Sequence, residues 1–153
     1  MPALISSCLI GIACRYDRSH SLVEEIVKKA QELQFVPVCP EQLGGLPTPR
    51  SPANIVKGGG KGVLVGHARV LNSLGEDVTE AFIKGAQETL KLARIIGAKK
   101  AILKDKSPSC GLNTPYCETD TGYGLGVTAA LLLSAGIEVI GINPEEKIRI
   151  GTL

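Results

Sequence analysis

Apolar residues fall along this chain in short blocks separated by polar and glycine-rich stretches. Leu4 to Cys8 forms a first apolar run and predicts a buried strand. Ser21 followed by Glu24 has the form of a capping box, and the helix it opens carries Leu22, Ile26, Ala30 and Leu33 on one face. Phe35 to Val38 then predicts a second strand, so the segment is a βαβ unit with parallel strands. From Pro40 to Gly62 turn formers dominate and argue against regular core structure; Gly62–Val65 and His67–Leu71 beyond it predict a small hairpin or edge strand. Asp77 and Glu80 form a second capping-box start. The long helix behind them carries Phe82, Ala86, Leu90, Ala93 and Ile96 on its inner stripe and ends at Gly97. Ala101 to Leu103 predicts a third strand, Lys104 to Gly122 a polar loop, Val127 to Ala135 an apolar helix closed by Gly136, and Ile137 to Ile142 a last strand.

This alternation predicts an α/β fold: a single three-layer Rossmann-like domain over residues 1–153, with right-handed crossovers, a mostly parallel sheet and a Pro/Gly-rich insertion after the second strand. A length of 153 residues suits one hydrophobic core.

Composition narrows the function classes. A net charge of +2, with no Trp, three Tyr and two Phe, supplies neither a basic surface nor a stacking platform, so nucleic acid is not an expected partner. No stretch approaches the roughly 18 apolar residues of a membrane span, and the start of the chain lacks the basic region of a signal peptide; the expectation is a soluble, cytoplasmic protein with no membrane partner. Five cysteines are an odd number for a disulfide framework and point to metal or redox chemistry, or to small buried hydrophobes.

Position separates these cysteines. In open parallel sheets ligands sit at the carboxyl ends of the strands. Cys8 ends the first strand, Cys39 follows the second directly, and Cys110 lies seven residues beyond the third. Three thiols converging at one edge would suit a soft metal such as zinc, copper(I) or an iron-sulfur cluster. Spacing alone leaves scattered core cysteines equally open, since no Cys-x-x-Cys pair occurs.

The neighbouring residues sharpen this. Ser7-Cys8-Leu9-Ile10-Gly11, Arg15-Tyr16-Asp17, Val36-Pro37-Val38-Cys39-Pro40-Glu41, Gly44 to Arg50 and Ser107-Pro108-Ser109-Cys110-Gly111 together strongly resemble a bacterial family that includes an iron-sulfur thiouracil desulfidase. The resemblance runs on through Gly75 to Thr79 and Gly126 to Ala130. It implies a [4Fe-4S] cluster held by Cys8, Cys39 and Cys110, with one iron left to accept the sulfur of a small thiolated substrate, without net redox change. It also implies Glu41 and Ser107 as catalytic polar groups and Ser109 as a substrate-binding residue. A carboxylate can shuttle protons for water attack and a hydroxyl can hold the heterocycle. Read without the resemblance, Glu41 is a solvated loop acid or a helix N-cap partner, and Ser107 a turn residue with a local backbone bond. The chain departs from the family pattern at Arg18, where glycine is usual, and in the stretch from Leu112 to Tyr123. Other readings of the thiols are a non-enzymatic zinc or cluster module and a thiol-based sulfur carrier.

The remaining motifs are weaker. Cys14 and Cys117 are expected to be buried, inert thiols. Gly58 to Gly62 lacks the Ser or Thr of a phosphate loop and is expected to be a flexible surface loop. Gly122, Gly124 and Gly126 open a helix, where close backbone packing is a safer account than anion binding. His20 and His67 stand alone, and Arg50 could hold an anionic group near the site, although an exposed arginine on a Pro-rich loop is the commoner case.

Overall fold

The computed structural model describes residues 2–115 and 117–146, so the two ends of the expected 1–153 domain lie outside the described residues. Its main sheet has four strands: β1 (Ala3–Ser6), β2 (Phe35–Val38), β5 (Lys100–Lys104) and β8 (Glu138–Ile142), in the order β2-β1-β5-β8. Every pairing in it is parallel, with Leu4 beside Val36 and Ala101, and Ile102 beside Ile140.

The pleat sends alternate residues to opposite faces. Leu4, Val38, Ala101 and Leu103 pack against Leu90 and Ala93 of α4 (Thr79–Ile96) and against Ala129 and Leu132 of α5 (Val127–Ser134). Ile5, Ile102 and Ile142 pack on the other face against Val23 and Ile26, the latter in α1 (Glu24–Lys29). The architecture is therefore three layers, as the alternation of elements predicts.

The first helix is shorter than its sequence pattern suggests. It has six residues, Ser21 does not cap it, and the buried positions are Val23 and Ile26, while Leu22 and Ala30 are exposed. Ser21 is instead tied by its N–H to the Cys8 carbonyl, and Val23 by its own to the Leu9 carbonyl, which rotates the segment so that Val23 faces inward. In α4 the predicted stripe holds, and Gly97 ends the helix at φ 68°, a conformation that suits glycine.

The segment after β2 is more ordered than its turn formers predict. It contains α2 (Pro40–Leu43), β3 (Ala53–Val56), α3 (Gly60–Leu64) and β4 (Arg69–Asn72), the two strands pairing antiparallel as a separate ribbon. The expected strand at Gly62–Val65 is thus mostly helix, and β4 pairs backward with β3. Glycine allows two close crossings here. A Cβ on Gly85 of α4 would lie 2.0 Å from the Pro40 carbonyl oxygen, and one on Gly44 would lie 2.0 Å from that of Ala81, so α2 sits directly on the α4 backbone. Gly60 donates its N–H to the Leu125 carbonyl at 2.7 Å and has no room for a Cβ beside Gly126. Gly58 to Gly62 is therefore a packing element and not a flexible loop. A short pair, β6 (Thr114–Pro115) with β7 (Tyr123–Gly124), closes the loop after β5.

Candidate functional site

The chain leaves β1 toward β2 on one side and returns to β5 on the other, so the order of strands reverses beside β1. Ligands bind at such switch points, beyond the carboxyl ends of the strands. A cavity of roughly 590 Å³ opens there. Its walls come from Ser6 at the end of β1 with Ser7 and Cys8, Cys39 to Glu41 after β2, Lys104 at the end of β5 with Lys106, Ser107, Pro108 and Cys110, and Asn54, Asn72 and Glu76 from the ribbon side. Apolar cover is supplied by Leu46, Val78, Phe82 and several prolines.

Cys8, Cys39 and Cys110 all line this cavity, and so does Cys14. All are free thiols. Cys14 is the surprise: it packs in one cluster with Cys8, and Cys39 packs against that cluster. Cys39 favours its thiolate, but Cys8 and burial outweigh that and push it up to about 11. Cys39 is raised well above the ordinary thiol range, first by Cys14 and then by burial. Burial, followed by the negative charge of Glu41, raises Cys110, while hydroxyl contacts from Ser6 and Ser109 work against the rise. These groups are neutral thiols until something replaces their protons, which is what a coordinated metal does. Cys117 is elsewhere, packed beside Ile55 and Val127, with burial raising its thiol. Cys14 and Cys117 are both buried, as expected, but only Cys14 lines the cavity.

Among the described residues no three His, Cys, Asp or Glu side chains converge tightly enough for a single metal ion. Thiols spread around a cavity of this size, all of one soft donor type, fit a polynuclear iron-sulfur group better than a lone zinc.

Glu41 stands in the first turn of α2, two residues after Cys39. Its Oε2 accepts from Arg50 Nη2 at 3.0 Å, with side-chain exposures of only 16% and 8%. Arg50 is thus buried, unlike the commoner exposed case. The same Nη2 donates to the Cys14 carbonyl at 3.1 Å, and the Arg50 N–H donates to the Tyr16 carbonyl at 2.8 Å. One guanidinium ties the loop after β1 to the loop after β2.

Ser107 Oγ accepts from the N–H groups of Ser109 and Cys110, at 3.1 and 3.2 Å. The turn reading of Ser107 holds, and its hydroxyl hydrogen stays available beside the cavity. Asp105 braces the same loop by accepting from Lys106, Leu112 and Asn113 N–H groups. Ser109 has to be reassigned. It is 1% exposed, does not line the cavity, and its Oγ is paired with Thr128 Oγ1 at 2.8 Å. Its carbonyl accepts from the Thr128 and Ala129 N–H groups, while the Pro108 carbonyl accepts from Val127. The open amides of α5 are used to dock the Cys110 loop, so Gly126 serves backbone packing.

Lys104 went unnoticed in the sequence because it is one lysine in a polar loop. It ends β5, lines the cavity, and gives its Nζ to the Asp105 carbonyl at 3.0 Å. Burial, then the nearby Arg15, lowers its pKa. Arg18 adopts φ 67°, the left-handed region that glycine enters freely.

Fold and site together define a parallel α/β protein with a thiol-lined cavity at its switch point. The comparisons with known proteins name the group within that class. The family model described as 2-thiouracil desulfurase matches residues 3–143, and the chain belongs to that family. It is 50% identical over 143 residues to a Bacillus subtilis (strain 168) protein called uncharacterized protein YbbK, covering 92% of this chain and 95% of that one. The solved structure of the [4Fe-4S]-dependent thiouracil desulfidase TudS superposes with a TM-score of 0.76 at 34% identity, covering 92% of this chain and 89% of that one. No helix among the described residues is long and apolar enough to cross a membrane.

Proposed function

We propose that this protein is an iron-sulfur-dependent desulfidase that hydrolyses a small thiolated heterocycle of the thiouracil kind. The observation that carries the reading is that Cys8, Cys39 and Cys110, from the ends of three different strands, line one cavity at the switch point. The family model and the likeness to TudS support it.

Cys8, Cys39 and Cys110 would hold a [4Fe-4S] cluster. When bound, the cluster supplies an iron without a protein ligand, a Lewis-acidic seat for a soft thiocarbonyl sulfur. The chain supplies the rest. Water replaces sulfur at the ring carbon, a carbonyl forms, sulfur leaves as hydrogen sulfide, and no electrons are gained or lost. Glu41, with Oε2 held by Arg50, takes the water's proton at Oε1. Ser107 donates its remaining O–H to the ring heteroatom or the developing anion. The apolar wall from Leu46, Phe82 and the prolines limits competing water around the ring.

Anaerobic reconstitution with iron and sulfide, followed by visible absorbance and a sulfide-release assay with thiouracil, tests the proposal. The expected result is a charge-transfer band and stoichiometric sulfide. A protein spectrally unchanged and silent in the assay sinks the reading, and tightly held zinc would replace it with a structural metal module.

A further inference from the structure

Cys14 takes no part in that scheme, yet it lies among the residues that do. It is 3% exposed, packs in one cluster with Cys8 and Cys39, and lines the same cavity wall. The Cys39 thiol also points to the Cys14 carbonyl, Sγ to O 3.8 Å, and Arg50 fixes that same carbonyl. Cys110 is placed differently: it packs in the other cluster, with Leu103, Ala129 and Leu132, and not with Cys14. The four cavity thiols therefore divide into a contiguous set of three and one on a separate loop.

We propose that Cys14 is a reserve ligand of the metal centre, able to replace Cys8 or Cys39 but not Cys110. This rests on the cluster reading above. A substitute ligand must bring its sulfur to where the lost one stood. Cys14 already packs in the cluster that holds both positions, and a change of side-chain rotamer moves a cysteine sulfur by about 3 Å with the backbone still. Arg50 holds that backbone in place. No comparable thiol serves Cys110, because Cys117 is packed in a different part of the core. The exchange is balanced: Cys14 gives its proton to solvent on binding iron, the count of thiolate ligands is kept, and no electron moves.

The experiment compares Cys8→Ala, Cys39→Ala, Cys110→Ala and Cys14→Ala, with the doubles Cys14→Ala/Cys39→Ala and Cys14→Ala/Cys8→Ala, after anaerobic reconstitution with ferrous iron and sulfide. Iron and acid-labile sulfide per chain and visible absorbance are read, and far-UV circular dichroism checks folding. Cys14→Ala should fill like the wild type. Cys8→Ala and Cys39→Ala should keep roughly half or more of the wild-type cluster, while Cys110→Ala and both doubles fall below about a tenth. Two outcomes overturn the proposal with the wild type filled: Cys8→Ala and Cys39→Ala as empty as Cys110→Ala, or doubles as full as their singles. A wild-type protein that takes up no cluster would instead fail the functional reading. The two positions are independent trials, so one misfolded variant leaves the other to decide.

Discussion

Arg50 Nη2 lies 3.0 Å from Glu41 Oε2, and both side chains are largely out of solvent. The pair joins a predicted catalytic carboxylate to an arginine that also grips the Cys14 carbonyl. Removing one partner leaves the other buried and unpaired, which costs about 3 kcal/mol. Arg50→Met should therefore lower the urea midpoint markedly and abolish sulfide release. Arg50→Lys should restore part of the stability, since an ammonium can keep one of the bonds but not the fork geometry. Glu41→Gln should keep the fold and the cluster and lose turnover. Urea unfolding, cluster absorbance and sulfide release separate these outcomes.

Ser107→Ala removes the acceptor shared by the Ser109 and Cys110 amides. A loss of about 1 kcal/mol is expected, along with faster bleaching of the cluster under a chelator and a fall in kcat. Ser109→Ala should behave otherwise, because its hydroxyl serves Thr128: stability falls and the substrate KM stays near its original value.

Gly85 has no room for a methyl beside the Pro40 carbonyl. Gly85→Ala must push α2 off α4, at a cost of about 3 kcal/mol. Since Glu41 rides on α2, activity per folded molecule should also drop, which thermal melting and sulfide release together will show.

Arg18 at φ 67° is strained where glycine is not. Arg18→Gly should raise stability by about 0.5 kcal/mol, the relief of strain being partly offset by the greater freedom of glycine in the unfolded chain. Equilibrium unfolding measures it, and a loss of stability would refute it.

Asp77 Oδ1 accepts from the Thr79 N–H at 2.9 Å at the start of α4. Bonds from the Thr79 side chain and backbone hold its carboxyl below the usual range. A depressed carboxyl contributes stability that is fully present above its unfolded pKa and is lost as pH falls through its lower folded value. Asp77→Asn should therefore lower stability near neutrality and flatten the acid limb below about pH 4, where the two proteins converge.

The sequence by itself determined the alternation of strands and helices, because burial on both faces of a parallel sheet leaves apolar runs and the long α4 leaves a readable stripe. It also determined that Cys39 directly follows a strand, whereas the expected run to Cys8 ends as a strand at Ser6 and Cys8 stands in the short 3-10 turn after it. The tertiary structure alone decided the rest of the site. Helix α1 has too few residues for periodicity to show its inner face, and backbone bonds to Cys8 and Leu9 turned Val23 inward in place of Leu22. Arg50 is buried because bonds to Tyr16, Cys14 and Glu41, from loops far apart in the chain, satisfy it there. Ser109 is kept out of the cavity wall by the pairing of its hydroxyl with that of Thr128 on α5. Cys14 met Cys8 and Cys39 through a loop path that carries no periodic signal. Loop conformation depends on partners remote in sequence, so the thiols at strand ends were legible and the thiol between them was not.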